Sequence, residues 1–198
     1  MLRTYDHTFG RDRFLLNPGE FATSADRVIL TTILGSCVGV CLRDPIAGLA
    51  GMNHFMLPEP LPTSQFFSTD AGRFGIHAME LLINELLARG ANRTHLIAKV
   101  FGGAHVLNSG GDMDRIPASN IAFALAFLSE EGINVAARDV GGRIGRRIVF
   151  FTETGEVRVY KIAKTRDIAR DDQAYQTRIA RPSTVDSFTL FASEPHKP

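Results

Sequence analysis

The sequence predicts an α+β protein, with mixed or antiparallel sheets and helices on the outside. Three observations lead there. Short β-branched and apolar runs, bounded by Gly, Pro and Asp turns, cluster towards both ends of the chain. Two helical patterns, over about 72–89 and 119–131, interrupt them, with one short apolar run in between. The resulting order, strands, helix, strand, helix, strands, lacks the regular alternation of a doubly wound βαβ array. At 198 residues, 44% hydrophobic and 22% charged, the chain suits one well-buried domain.

Residues 1–26 mix charge, Gly and Pro and read as a loosely ordered lead-in, with at most a short strand over 20–23. A single domain is expected over 27–164, beginning with a strand at 27–33. Gly35 then breaks the chain before a hairpin. Its arms are 38–42 and 49–57, and its turn is Arg43-Asp44-Pro45-Ile46-Ala47-Gly48, with Asp and Pro in their favoured positions and Gly at the exit. Pro58, Pro60 and Pro62 prevent the second arm from continuing. The first helix, from Gly72 or Phe74 to Arg89, carries Ile76, Met79, Ile83, Leu86 and Leu87 on one face. Thr69 or Asp70 can cap it, and Gly90 stops it.

A strand over 96–101 ends in Gly102-Gly103, and 106–117 reads as a long polar loop. The second helix has Ile121, Leu125 and Leu128 at helical spacing and stops at Gly132. Strands follow at 134–139, 146–152 and 156–162, the last two joined by the hairpin signal Glu153-Thr154-Gly155. From residue 165 the chain turns rich in Arg, Asp and Ser, and 165–198 reads as a flexible tail.

Charge excludes some functions. Lys plus Arg number 22 against 21 Asp plus Glu, a net charge of +1, which offers no argument for binding nucleic acid or an acidic membrane surface. No apolar run suits a signal peptide or a membrane span. The two cysteines, Cys37 and Cys41, fall in one strand at a separation that disfavours a disulfide, so a reducing, cytoplasmic compartment is expected.

Chemistry concentrates at Cys37 and His54. Gly35, Ser36, Val38 and Gly39 surround the thiol with small residues that admit a substrate backbone. A turn centred on Pro45 and Ile46 sets Cys37 directly opposite His54, with Cβ atoms about 5 Å apart. A thiol needs such a base, because the thiolate is the nucleophile and an imidazole takes and returns its proton. A third group must hold the ring, and Thr31 and Thr32 are the nearby hydroxyls. The Cys37 backbone N–H and the Ser36 hydroxyl are candidate oxyanion donors, with Gly35 and Asn53 placed to position a substrate.

Blander readings compete. A lone cysteine is commonly a small buried hydrophobe, and Cys41 is read that way. A zinc site from Cys37, Cys41, His54, His77, His95 or His105 lacks any CxxC or HxxxH spacing, so no metal is expected. Gly35-Ser36-Cys37-Val38-Gly39 has the form of a nucleophile elbow but runs into a strand, not a helix. Gly142-Arg143-Ile144-Gly145 has the form of an RNA-binding GXXG clamp, yet it joins two strands and reads as a tight turn.

Four blocks in order, LGSCVGVCLRDP, GMNHFMLP, AKVFGGA and DVGGRIGRRIVF, resemble the chemoreceptor glutamine deamidases of the CheD family across roughly 17–162. The resemblance implies a layered α/β/β/α fold similar to toxin-type cysteine deamidases. It implies Cys37 as nucleophile, His54 as base and Thr31, rather than Thr32, as the third member. It implies hydrolysis of glutamine side chains on the cytoplasmic helices of methyl-accepting chemotaxis receptors, with no cofactor, and a CheC-type phosphatase as partner in some relatives. The alternative function is a regulatory adaptor that binds receptors or such a phosphatase without turnover.

Overall fold

Val38, Val40 and Leu42 are buried on one side of their strand, and Cys41, with Cys37 just before the strand, is equally buried on the other. A strand with two apolar faces must lie between two layers. The computed structural model, which describes residues 1–106, 115–162 and 166–179, shows what those layers are. The strands are β1 (Leu2–Asp6), β2 (Arg11–Leu15), β3 (Phe21–Ser24), β4 (Ile29–Leu34), β5 (Val38–Asp44), β6 (Leu49–Phe55), β7 (Ile97–Gly102), β8 (Asn134–Val140), β9 (Gly145–Phe151) and β10 (Val157–Ile162). The helices are α1 (Asp70–Ala88), α2 (Ile116–Glu130) and α3 (Arg166–Ile179).

The strands form two mixed five-stranded sheets, ordered β1-β2-β4-β9-β10 and β3-β6-β5-β7-β8. The β2–β4 and β7–β8 pairs are parallel and the others antiparallel. The expected α+β class and mixed sheets are what the structure shows. Helices α1 and α2 lie on one face of the β5 sheet, where Met79, Leu82, Phe123 and Phe127 join Val38, Val40, Leu42 and Phe55 in a shared core. The other face meets the β4 sheet through a second core that includes Leu30, Leu34, Cys37, Cys41, Met52, Met56, Ile148 and Phe150.

Helix α1 starts where the cap signals put it. Thr69 Oγ1 accepts from Gly72 N at 3.2 Å. Gly75 is needed for the approach of α2, since a Cβ there would sit 2.6 Å from the Phe123 ring. Helix α2 begins at Ile116, three residues earlier than its apolar spacing suggested, because Pro117 is well suited to a first helical turn. Most of the expected polar loop, 107–114, lies outside the described residues.

Both termini depart from expectation. Residues 1–26, expected to be loosely ordered, supply β1, β2 and β3 and contribute to both sheets. Charge had masked the pattern: β2, Arg-Asp-Arg-Phe-Leu, is half-buried along its length and pairs in parallel with β4. Residues 166–179, expected within the tail, form α3, whose Tyr175 enters the core between the sheets. The rest of that segment, from 180 on, lies outside the described residues.

Candidate active site

The β5–β6 hairpin fixes the first two site residues. Asp44 shapes its turn by accepting from Ile46 N at 2.8 Å and Ala47 N at 2.9 Å, and it ties in Asn92 N at 2.8 Å. Asp44 pairs with Leu49, so four residues form the loop instead of a turn centred tightly on Pro45 and Ile46. The register therefore sets Gly39, not Cys37, opposite His54. This is a shift of two residues, and side chains alternate with period two, so Cys37 and His54 keep a common face as diagonal neighbours. A one-residue slip would have separated them.

His54 is held from its far nitrogen. Thr32 Oγ1 lies 2.8 Å from Nδ1 and itself donates to Leu16 O at 2.7 Å. With its proton committed to Leu16, the hydroxyl can only accept from the ring, so Nδ1 carries the hydrogen and Nε2 presents its lone pair. Nε2 is buried without a hydrogen-bond partner among the described residues. Burial lowers the His54 pKa to about 4, so the ring is neutral and available as a base near pH 7. The turn between β2 and β3 completes the cradle, with His54 N donating to Glu20 O at 2.9 Å and Gly19 N to His54 O at 2.7 Å.

Thr31, expected as the third member, is elsewhere. Its hydroxyl donates to Ile148 O at 2.6 Å. Thr32 shares a face of β4 with Leu30 and Leu34, which line the core between the sheets, and alternation turns Thr31 to the opposite face. Asn53 is likewise turned away from His54. Its Oδ1 accepts from Val40 N at 3.1 Å and its Nδ2 donates to Ala78 O at 3.0 Å, so it braces β5, β6 and α1 and does not position a substrate. His105 and His77 are exposed.

The loop before β5 is pinned at three successive carbonyls. Gly35 O accepts from Ala104 N at 2.7 Å, Ser36 O from Asn120 Nδ2 at 2.8 Å, and Cys37 O from Gly103 N at 2.7 Å. Asn120 also accepts from Leu57 N at 2.8 Å, joining the two ends of the hairpin. Gly102 has φ +105, and a Cβ on it would lie 2.2 Å from Cys37 O, so only glycine allows this approach. The GGRIG segment backs the same corner: Gly141 N donates to Gly102 O at 2.8 Å, and buried Arg146 reaches Asp139 and Gly141 O. With its carbonyls occupied, the loop aims the other way the Ser36 N–H and hydroxyl.

Those donors are occupied by α3. Asp172 Oδ2 accepts from Ser36 N and from Ser36 Oγ, both at 2.6 Å, and Cys37 Sγ donates to Asp172 Oδ1 at 3.4 Å. Burial first, and the carboxylate second, push the Cys37 thiol well above its ordinary range. In this state the site holds a neutral thiol and a neutral imidazole. Cys41, also buried, is pushed up by burial too and lies within β5, consistent with a packing role.

Asn120 and Asp172 escaped the sequence reading. An Asn beside Ser119 within an apolar helix pattern was a usable signal for a buried polar clamp. Asp172 lay in a segment whose Tyr175 and Ile179, four apart, were the hint of an amphipathic helix. Among the described residues no group of three or more His, Cys, Asp or Glu side chains is arranged to hold a metal, and no helix is long and apolar enough to cross a membrane.

A buried cysteine on a pinned loop, an oriented histidine and a pair of donors held by Asp172 come together where the two sheets close on each other. The chain belongs to the CheD family: residues 56–161 match the family model for CheD chemotactic sensory transduction. That match begins just after His54, but relatives align across the site as well. The chain is 47% identical over 174 residues to a protein of Rhizobium leguminosarum, covering 87% of this chain and 92% of that one. It is 40% identical over 189 residues to one of Laribacter hongkongensis, covering 94% and 91%. It is 44% identical over 184 residues to one of Bordetella avium, covering 92% and 80%. Each is named a probable chemoreceptor glutamine deamidase CheD. A solved structure from Neisseria meningitidis, protein NMB0706, overlaps 62% of this chain and 51% of its own at TM-score 0.35 and 15% identity, too slight to inform the site.

Proposed function

We propose that the protein hydrolyses glutamine side chains on the cytoplasmic helices of chemoreceptors, with Cys37 as nucleophile, His54 as general base and Thr32 as the residue that orients it. One observation carries the reading. The Thr32 contact at Nδ1 leaves the Nε2 lone pair of a neutral, buried His54 on the face that bears the Cys37 thiol. The names of the relatives supply the substrate class.

In the first half-reaction Nε2 takes the thiol proton as Sγ attacks the carboxamide carbon. The oxyanion forms against the Ser36 N–H and hydroxyl. The proton on Nε2 passes to the departing amide nitrogen, the C–N bond breaks and ammonia leaves, giving a thioester. Water then loses a proton to Nε2 and attacks the thioester carbon; the C–S bond breaks, the proton returns to sulfur, and a glutamate side chain is released. The residues that carry these steps need no added group.

The test is mass spectrometry of a purified chemoreceptor cytoplasmic fragment after incubation with wild type or Cys37→Ala. Glutamine-to-glutamate conversion by the wild type alone supports the deamidase. Binding of the fragment by both proteins with no conversion by either overturns it in favour of a non-catalytic adaptor. New peptide termini in place of side-chain conversion would make the protein a cysteine peptidase. The proposed site of action puts the protein in the cytoplasm.

A further inference from the structure

Helix α3 is unusual in what it buries. Its inward stripe contains Asp172, Tyr175 and Gln176, with Ile179 half-buried, while Gln173, Ala174, Thr177 and Arg178 face outward. A helix that serves only the core presents an apolar stripe. Here a carboxylate, 3% exposed, is delivered to the pinned loop. Tyr175 anchors the helix beside it: its ring packs into the core that holds Cys37, and its hydroxyl lies 2.8 Å from where a Cβ on Gly19 would stand, in the turn that bonds to the His54 backbone.

The contacts of Asp172 resemble those of a reaction product. A glutamate leaving this site is a carboxylate on a short side chain, projected from a helix. One oxygen would sit against the Ser36 N–H and hydroxyl, where the oxyanion formed, and the carboxyl group would rest beside the sulfur. Asp172 has that arrangement, with both Ser36 donors at 2.6 Å on Oδ2 and the thiol 3.4 Å from Oδ1. A substrate carboxamide and the Asp172 carboxylate therefore cannot occupy the seat together.

We propose that α3 is a built-in product mimic that closes the site, and that a substrate helix must displace it to reach Cys37. This rests on reading Cys37 as the nucleophile. The device does two things at once. It fills the oxyanion seat, and it places a negative charge where it opposes formation of the thiolate. Basal turnover is held low by the chain itself, and a helical partner that competes for the seat activates it.

The two cysteines make the test self-controlling. In the full-length protein, alkylation of Cys37 and Cys41 by iodoacetamide is followed peptide by peptide for wild type, Asp172→Asn, Asp172→Ala and Tyr175→Ala. Cys37 should react at least about tenfold faster in Asp172→Ala and Tyr175→Ala, the equivalent of one pKa unit of thiolate. Asp172→Asn should move in the same direction, and Cys41 should stay unreactive in all four. A Cys37 rate within about twofold of wild type in every variant overturns the proposal. So does a parallel rise at Cys41, which would mean that α3 merely supports the fold.

Deamidation of a receptor fragment is measured alongside. Faster conversion by Asp172→Ala than by wild type supports the mimic. Faster alkylation with no conversion by any variant upholds α3 as a cover over Cys37 but sinks the deamidase reading, so the two failures are told apart.

Discussion

At the scale of single residues, the site turns on which of two adjacent threonines meets the imidazole. Thr32 Oγ1 is spent as a donor to Leu16 O, so it can hold His54 only by accepting, and this selects the tautomer with a free Nε2. Thr32→Val should reduce kcat/KM roughly a hundredfold by releasing the ring, in the range seen for loss of oriented acid–base catalysis. Thr31→Val, which removes a hydroxyl bonded to Ile148 O on the other face, should leave kcat/KM within about twofold. Steady-state kinetics of the two variants checks both. Burial of His54 also makes stability depend on pH. The folded pKa of about 4 lies below the ordinary 6.5, so between these values the unfolded chain binds a proton that the folded one refuses. Stability is then unaffected above about pH 6.5 and falls by up to roughly 3 kcal/mol as the pH drops towards 4. Denaturant unfolding at about pH 7 and about pH 4.5 should show a smaller loss in His54→Gln than in wild type.

At the scale of elements, the loop over 35–37 is held still by others. Its carbonyls are taken by the segment 103–104 and by α2, so the Ser36 N–H and hydroxyl point the other way, where Asp172 accepts from both. Asn120→Ala removes the bonds to Ser36 O and Leu57 N at both ends of the hairpin and leaves two buried groups unpaired. The expected cost is about 2–4 kcal/mol in urea unfolding, with lower kcat in the fraction that remains folded. Gly102→Ala should be worse for activity than for stability, since a methyl group directed at Cys37 O must move the backbone of the proposed nucleophile. The expected register of the hairpin was off by two residues because the turn chemistry was read correctly but its length was not. Asp44 closes a four-residue loop, and the period-two alternation preserved the relation of the two side chains that matters.

At the scale of the whole molecule, the site is built across the gap between the sheets: Cys37 and His54 come from one sheet, Thr32 from the other, and the cover from α3. The two cores should therefore respond differently to damage. Phe150→Ala, in the core between the sheets, should cost about 3–5 kcal/mol and also lower kcat/KM of the folded protein. Leu82→Ala, under α1 in the other core, should cost about 2–5 kcal/mol while the folded fraction keeps its activity. Chemical denaturation together with active-site-titrated kinetics separates the two effects.

The sequence by itself determined the α+β class, the central hairpin, both outer helices and the common face of Cys37 and His54, though not their register, because these follow from local periodicity and turn residues within a short stretch of chain. It could not place the third member of the site, because Thr31 and Thr32 differ only in the face of β4 they occupy. That face is set by which sheet β4 joins. It also could not show that the charged N-terminus folds into both sheets, or that Asp172 reaches Ser36 from more than a hundred residues away, since neither contact leaves a mark in local spacing. Those were decided when two sheets closed on a common core, and that closure is what makes a buried thiol, an oriented imidazole and a covering carboxylate into one site.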